Sequence, residues 1–245
     1  MNQEEVRKLF AERQAIVTGS HFVYTSGKHG ANYVNKDRVI PFVTQLFELC
    51  RMIAFQFDGH LIEAVVAPAL GGIALSQWVA YHLSVLTGRE VIAVYAEKEE
   101  VPGSAFYYLM FALRLVLGMW VPQWGRAPSV RLALKRGHAE LVAGKRTLTV
   151  EDILNTGGSL LEVNQLVRSV GGHLLGSAAL CNRGKVTASK AGTPELVSLL
   201  ELDFMMEPAE SCSLCKSGVP INTQLGHGKK FLEGKKQVEE RVVGG

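Results

Sequence analysis

The stretch Thr147–Ser159, TLTVEDILNTGGS, decides how the rest of this chain is read. It opens as a β-branched, apolar strand and runs straight into two adjacent acids, Glu151 and Asp152. A turn containing Gly157 and Gly158 follows, flanked by the hydroxyls of Thr156 and Ser159. Leu160, Val163, Leu166, Val167 and Val170 then recur at helical spacing. Strand, acidic pair, small-residue turn and helix N-terminus together make an anion-binding cup. The turn offers backbone N–H groups and hydroxyls to a phosphate, and the acids stand ready for sugar hydroxyls or a hydrated magnesium ion. An ordinary strand-to-helix turn with a serine cap has the same outline, but it seldom needs two acids at the strand end. No lysine follows the glycines, which separates the turn from a Walker A loop. The cup suits a phosphorylated sugar.

Outward from the cup, strands alternate with helices. Residues 2–17 carry a helical apolar spacing, residues 20–40 read as short strands broken by the turn SGKHG, and the run after Pro41 reads as a helix to about Phe57. IEAVVAPAL is a strand leading through Gly71-Gly72 into the helix IALSQWVAYHL; VIAVYAEK is a strand, residues 145–150 form the strand of the cup, and LLGSAALCNR is the next. Such alternation predicts an α/β fold with a parallel sheet and right-handed crossovers. Ligands in these sheets sit beyond the carboxyl ends of the strands, so segments 68–72, 96–100 and 151–159 are expected to converge on one pocket.

Bulk properties bound the function. With 245 residues, 47% hydrophobic and 20% charged, the chain is a folded globular protein rather than a disordered one. A net charge of +3 gives no support for a nucleic-acid surface and tolerates a polyanionic small substrate. Four cysteines, Cys50, Cys181, Cys212 and Cys215, are too few and scattered for a secreted disulfide scaffold. The charged amphipathic N-terminus lacks a signal-peptide core, and the expected compartment is the cytoplasm. Ser104–Trp124 is nearly all apolar but holds Arg114, Gly118 and Pro122. An arginine near its centre is costly in lipid, so a helical insertion, packed on the domain or at a dimer interface, is expected instead of a membrane span. A lid over the site is the other open option.

VEDILNTGGS resembles the phosphoribosyl-pyrophosphate (PRPP) signature of type I phosphoribosyltransferases, and two further segments resemble the orotate-specific branch of that family in the right order. VYTSGKHGANYVNKDRVIP (Val23–Pro41) is similar to its N-terminal hood, and VVAPALGGIAL (Val65–Leu75) to its pyrophosphate loop. The resemblance covers roughly residues 18–190 and implies the type I phosphoribosyltransferase fold: a central, mostly parallel sheet flanked by helices, with a hood subdomain. It divides the chain into a domain over 1–195, with the hood at about 18–40 and the apolar insertion at about 101–130, and a C-terminal extension over 196–245.

The implied activity is transfer of 5-phosphoribose from PRPP to orotate, giving orotidine 5′-monophosphate and pyrophosphate, a step of pyrimidine synthesis. Magnesium, bound mainly through PRPP, is the implied cofactor, and a homodimer the implied assembly; neither nucleic acid nor membrane is an expected partner. By resemblance, Lys98, Glu151 and Asp152 are catalytic. Thr25, Ser26, Leu70, Gly71, Gly72, Asn155, Thr156, Gly157, Gly158 and Ser159 bind PRPP, and Asn155, Arg183 and Tyr33 contact the base. A non-proline cis peptide is expected near Ala69–Leu70. A phosphoribosyltransferase for another base, and a PRPP-sensing regulator with little catalysis, are the alternatives.

Several positions depart from the family pattern. Gly71 stands where a lysine is common, and Asn182 where an aspartate usually precedes the arginine. In VIAVYAEKEEVPG the chain keeps Lys98 and Glu99 but has Glu97, Val101 and Gly103 at positions that are usually cationic or histidine-glycine. Lys135, Arg136 and His138 are candidates to replace those charges. Cys212 and Cys215 form half of a zinc motif, which His227 and a cysteine of another subunit would complete; a reduced structural pair is the simpler state, and no residue is assigned as a metal ligand.

Overall fold

The computed structural model describes residues 2–117 and 127–243. In chain order the strands are β1 (Ile16–Val17), β2 (Phe22–Val23), β3 (His29–Gly30), β4 (Tyr33–Val34), β5 (Ala64–Pro68), β6 (Ile92–Val101), β7 (Ser129–Ala133), β8 (Arg146–Leu154), β9 (His173–Asn182) and β10 (Leu196–Glu201). The helices are α1 (Gln3–Glu12), α2 (Val43–Gln56), α3 (Gly72–Thr87), α4 (Ala105–Leu117), α5 (His138–Val142), α6 (Gly158–Ser169), α7 (Ala188–Ala191), α8 (Ser213–Lys216) and α9 (Gly228–Val243).

Six strands form one sheet in the order β10-β9-β8-β5-β6-β7, parallel except for β7. Every residue of β5 is buried, as expected for a strand covered on both faces. Strand alternation builds two cores. Leu148, Val150, Val65 and Ala67 face the cluster that includes α2 and α3, whereas Val66 and Val94 pack with Val163 and Val167 of α6. After β5 the chain moves to β6 on one side, while β8 lies on the other. The carboxyl ends of β5 and β8 therefore flank a reversal of strand order, the crevice where α/β sheets bind ligands.

The hood consists of two short antiparallel pairs, β1 with β4 and β2 with β3. Helix α1 ends at Glu12 rather than running to residue 17: Gln14 takes a left-handed φ of 53°, and Ile16–Val17 joins Val34 and Tyr33 as a strand. Its start is fixed by a capping box between Asn2 and Glu5. Strand β8 also differs from expectation, continuing through the acids to Leu154, because Glu151 and Ile153 pair with Ala179 and Cys181 of β9.

Strand β10 pairs with β9, so the main sheet continues past residue 195 into the segment read as an extension. Beyond it the chain returns to the hood through backbone bridges from Glu207 to His29 and from Ile221 to His21. The apolar insertion forms α4 between β6 and β7, exposing Tyr108, Leu109 and Phe111; its second half lies outside the described residues. Among the described residues, no helix is long and apolar enough to cross a membrane.

Candidate active site

At the end of β8 the pleat separates the two acids. Glu151 enters a cleft of about 200 Å³ lined on one wall by Asn155–Leu160 and on the other by Tyr24, Thr25 and Ser26 of the hood. Asp152 lines a neighbouring pocket with Tyr33, Asn35 and Lys36. Asn155 and Arg183 line both, so the two depressions meet at that pair.

The phosphate-type turn is shaped by glycine. Gly157 adopts φ 80° with no side-chain cap on the helix it begins, and a Cβ there would stand 2.7 Å from Val186 Cγ1. The first-turn amides of α6 are thus left for whatever enters the cleft, and the helix dipole favours an anion there.

Glu151 is buried and accepts a hydrogen bond from the Asp152 amide at 3.0 Å. Burial, followed by the adjacent Asp152 charge, raises its pKa well above the usual carboxylate range. Asp152 accepts from the Ile153 amide at 2.6 Å and pairs with Lys36 Nζ at 2.9 Å. For Lys36, burial lowers the pKa, but Asp152, with the nearby Asp37 and Glu151 carboxylates, outweighs it and the net shift is upward.

Gly71 lies at this ion pair: a Cβ there would stand 2.6 Å from Lys36 Nζ and would also run into the Asp152 carboxylate. A lysine at position 71 has no room here, and Lys36 brings an ammonium to the same place from the hood. The Ala69–Leu70 peptide is cis, as expected, and Leu70 is 85% exposed. Lys36 belonged to the hood motif in the sequence, but its approach to Gly71 depends on tertiary folding.

Arg183 is 4% exposed. Its Nε donates to Asn155 Oδ1, and its guanidinium carbon lies 4.4 Å from the Tyr24 ring centre and 5.4 Å from that of Tyr33. Nη1 is buried without a hydrogen-bond partner, and no carboxylate among the described residues forms an ion pair with it. Burial pushes its pKa below the usual guanidinium value, although an arginine stays charged. Asn182 turns inward: it accepts from the Val186 amide at 3.0 Å and donates to the Val186 carbonyl at 3.0 Å, fastening the loop that carries Arg183. Tyr24 and Met206 also line the cleft. Sequence reasoning passed over both, though Tyr24 directly precedes Thr25 in the hood motif.

Lys98 is not brought into this cleft. It is exposed on β6, opposite Leu132 of β7, and its carbonyl accepts from Lys135 Nζ at 3.5 Å. The other candidate cations are tied up locally: Arg136 pairs with Glu97 at 2.9 Å, and Glu99 takes both Arg131 at 2.9 Å and Lys135 at 3.9 Å. His138 Nδ1 lies 3.2 Å from the Tyr95 carbonyl oxygen. Segment 96–100 therefore leaves the expected pocket and becomes one arm of an antiparallel pair.

The chain belongs to the phosphoribosyl transferase domain family, whose model matches residues 43–194. Its curated relatives include the orotate phosphoribosyltransferase of Caldanaerobacter subterraneus subsp. tengcongensis, 30% identical over 223 residues that cover 90% of this chain and 96% of the relative. The orotate phosphoribosyltransferase of Chlorobium phaeobacteroides is 27% identical over 224 residues, covering 91% and 95%. Among solved structures, the Mycobacterium tuberculosis orotate phosphoribosyltransferase superposes with a TM-score of 0.53 at 20% identity, covering 82% of this chain and 96% of that one. An adenine phosphoribosyltransferase from Thermoanaerobacter pseudethanolicus also gives 0.53, at 17% identity, covering 82% and 100%. These likenesses establish the type I fold.

Proposed function

We propose that the chain transfers 5-phosphoribose from PRPP to orotate, releasing pyrophosphate and forming orotidine 5′-monophosphate. One observation carries the choice of base: Arg183 is buried between Tyr24, Tyr33 and Asn155 with Nη1 unpartnered. A buried guanidinium fork with a free donor calls for a planar anion, and the orotate carboxylate on a flat ring between tyrosines meets that demand. The sequence likeness to orotate enzymes over nine-tenths of the chain supports the same reading.

In this reading the turn Asn155–Ser159 holds the 5′-phosphate on its free amides and hydroxyls. Thr25 and Ser26 close over it from the hood. Glu151 and Asp152 hold the ribose hydroxyls, and the Asp152 carboxylate stabilises the oxocarbenium-like ribosyl centre as the bond to pyrophosphate breaks. Ala69–Gly72 cradles the pyrophosphate on its backbone, with Lys36 neutralising charge as it departs. Lys98 adds a cation when the β6–β7 arm approaches, and closure of that arm excludes water from the ribosyl centre. The carboxylate pair offers the hard oxygen donors that magnesium takes, and the ion, held mainly by the diphosphate, would offset leaving-group charge. The ion pairs that occupy Arg136, Arg131 and Lys135 favour one competing reading, a PRPP-binding regulator with little turnover. The apolar residues exposed on α4 fit a homodimer in which a second copy covers them.

Loss of orotate absorbance that depends on PRPP and magnesium, with Asp152→Asn run beside the wild type, tests the proposal. Turnover that collapses in the variant supports it; tight PRPP binding without consumption of orotate favours the regulator.

A further inference from the structure

His21, His29, Cys212 and Cys215 converge behind the hood, with one donor atom from each lying within 4.8 Å of all the others. His21 Nε2 is 2.9 Å from His29 Nδ1, 3.6 Å from Cys212 Sγ and 3.7 Å from Cys215 Sγ. His29 Nδ1 is 3.4 Å from Cys215 Sγ. We propose that these four side chains form a tetrahedral zinc site that fastens the C-terminal segment to the hood.

Four of the six distances come close to the edges of such a site. Zinc–nitrogen bonds of about 2.0–2.1 Å and zinc–sulfur bonds of about 2.3 Å place tetrahedral ligands roughly 3.3 Å apart for two nitrogens and roughly 3.5–3.8 Å apart where sulfur is involved. Of these four edges only the nitrogen pair must open, by a few tenths of an ångström, and the two remaining edges, both at Cys212, lie within 4.8 Å and close on binding. Two thiolates with two imidazoles favour zinc over the hard cations. Four protein ligands leave no open position, which makes the site structural.

The surroundings are built for this coordination. His21 Nδ1 meets the Val219 carbonyl oxygen at 2.8 Å. That nitrogen therefore carries the ring proton, and Nε2 turns its lone pair inward, the orienting contact that metal-bound histidines commonly make. His21, His29 and Cys212 are essentially fully buried. His29 presents Nδ1 to the same point, and its ring stands edge-on to Phe231 with centroids 4.8 Å apart, which fixes its orientation. Cys212 stands at the N-cap of the single turn α8 and Cys215 lies within it, so one short helix presents both sulfurs to the same point.

The site also explains how remote segments cohere. Cys212 and His21 are 191 residues apart in the chain. His21 directly precedes β2 and His29 opens β3, so both stand on the β2–β3 hairpin, whose tip Tyr24–Ser26 forms the hood wall of the cleft. A metal at their base sets where that tip stands. His227, the ligand suggested by sequence, instead has Nε2 3.1 Å from Thr25 Oγ1.

The test is elemental analysis of the full chain purified under reducing conditions without a metal-affinity step. One zinc per chain is expected, falling at least tenfold in Cys212→Ser and in His29→Ala but retained in His227→Ala. Cobalt(II) added to chelator-treated wild type should give the intense visible bands of a tetrahedral thiolate site, and zinc should bleach them. This titration uses wild-type chain, so it decides the matter even where a variant fails to fold. Reduced wild type that carries no zinc and gives no cobalt spectrum overturns the proposal. So does a Cys212→Ser/Cys215→Ser variant that binds zinc like wild type, or a Cys212–Cys215 disulfide whose reduced form takes up no metal.

Discussion

Lys36 Nζ and Asp152 Oδ2 form a 2.9 Å ion pair that joins the hood to the carboxyl end of β8. With Gly71 beside them, the pair brings hood, pyrophosphate loop and acidic strand to one point. It also accounts for a glycine where the family commonly has a lysine: the cation arrives from another segment. Lys36→Met is expected to raise the KM for PRPP by roughly 10- to 100-fold, the worth of one charge-assisted contact of about 1.5–3 kcal/mol. Because Lys36 is partly exposed, its Tm should move little. Steady-state kinetics and a thermal melt check both, and an unchanged KM for PRPP would remove Lys36 from the pyrophosphate site.

Arg183 separates stability from activity. A buried, incompletely bonded charge is held at a cost in the free enzyme. Arg183→Met should therefore leave the Tm unchanged or higher, while the KM for orotate rises roughly 30-fold or more. A melt of the variant together with orotate titration distinguishes this from a merely structural arginine, whose loss would lower the Tm.

Glu151 should give stability a pH dependence of unusual sign. Burial, then Asp152, raises its folded pKa above the unfolded value. The folded state thus binds the proton more tightly, and the resulting stability is full below the ordinary carboxylate pKa and lost as pH rises through the raised folded value. Urea unfolding of the ligand-free protein from about pH 4 to 8 should show Glu151→Gln gaining on wild type as pH increases. Parallel curves would contradict the raised pKa.

A buried polar network ties α6 to the sheet. Thr149 Oγ1 donates to Asn164 Oδ1 at 2.7 Å, Asn164 Nδ2 donates to Ser177 Oγ at 3.2 Å and to the Ala191 carbonyl at 2.8 Å, and all three side chains are buried. Asn164→Leu takes the side-chain donor from the Ala191 carbonyl and leaves Thr149 and Ser177 only their mutual 2.7 Å bond, and should cost about 1–3 kcal/mol. Since α6 presents the phosphate turn, PRPP affinity should fall with stability. Denaturant unfolding and PRPP binding measure the two effects.

Local chemistry made much of this legible. TLTVEDILNTGGS carries strand, acids, turn and helix within thirteen consecutive residues, and Asn155–Ser159 stand where that order placed them. Arg183 was legible through the family resemblance, and the parallel pairing of β8 with β9 is what brings its strand end to Asn155. Contacts made at long range were not. Nothing in the sequence around Lys36 points to Asp152, and nothing in Cys-x-x-Cys points to His21 and His29 rather than His227. The carboxylates of 97 and 99 drew β6 into pairing with the basic β7 arm, and so Lys98 lies outside the cleft.

The proposed base is a carboxylated pyrimidine, read by Arg183. The most direct measurement is kcat/KM for orotate and for uracil, which lacks the carboxylate, with PRPP and magnesium, in wild type and Arg183→Met. Wild type is expected to prefer orotate by roughly a thousandfold or more, a preference that collapses in the variant because orotate use falls. Uracil or a purine used as well as orotate by wild type, or orotate used at wild-type efficiency by Arg183→Met, would contradict it.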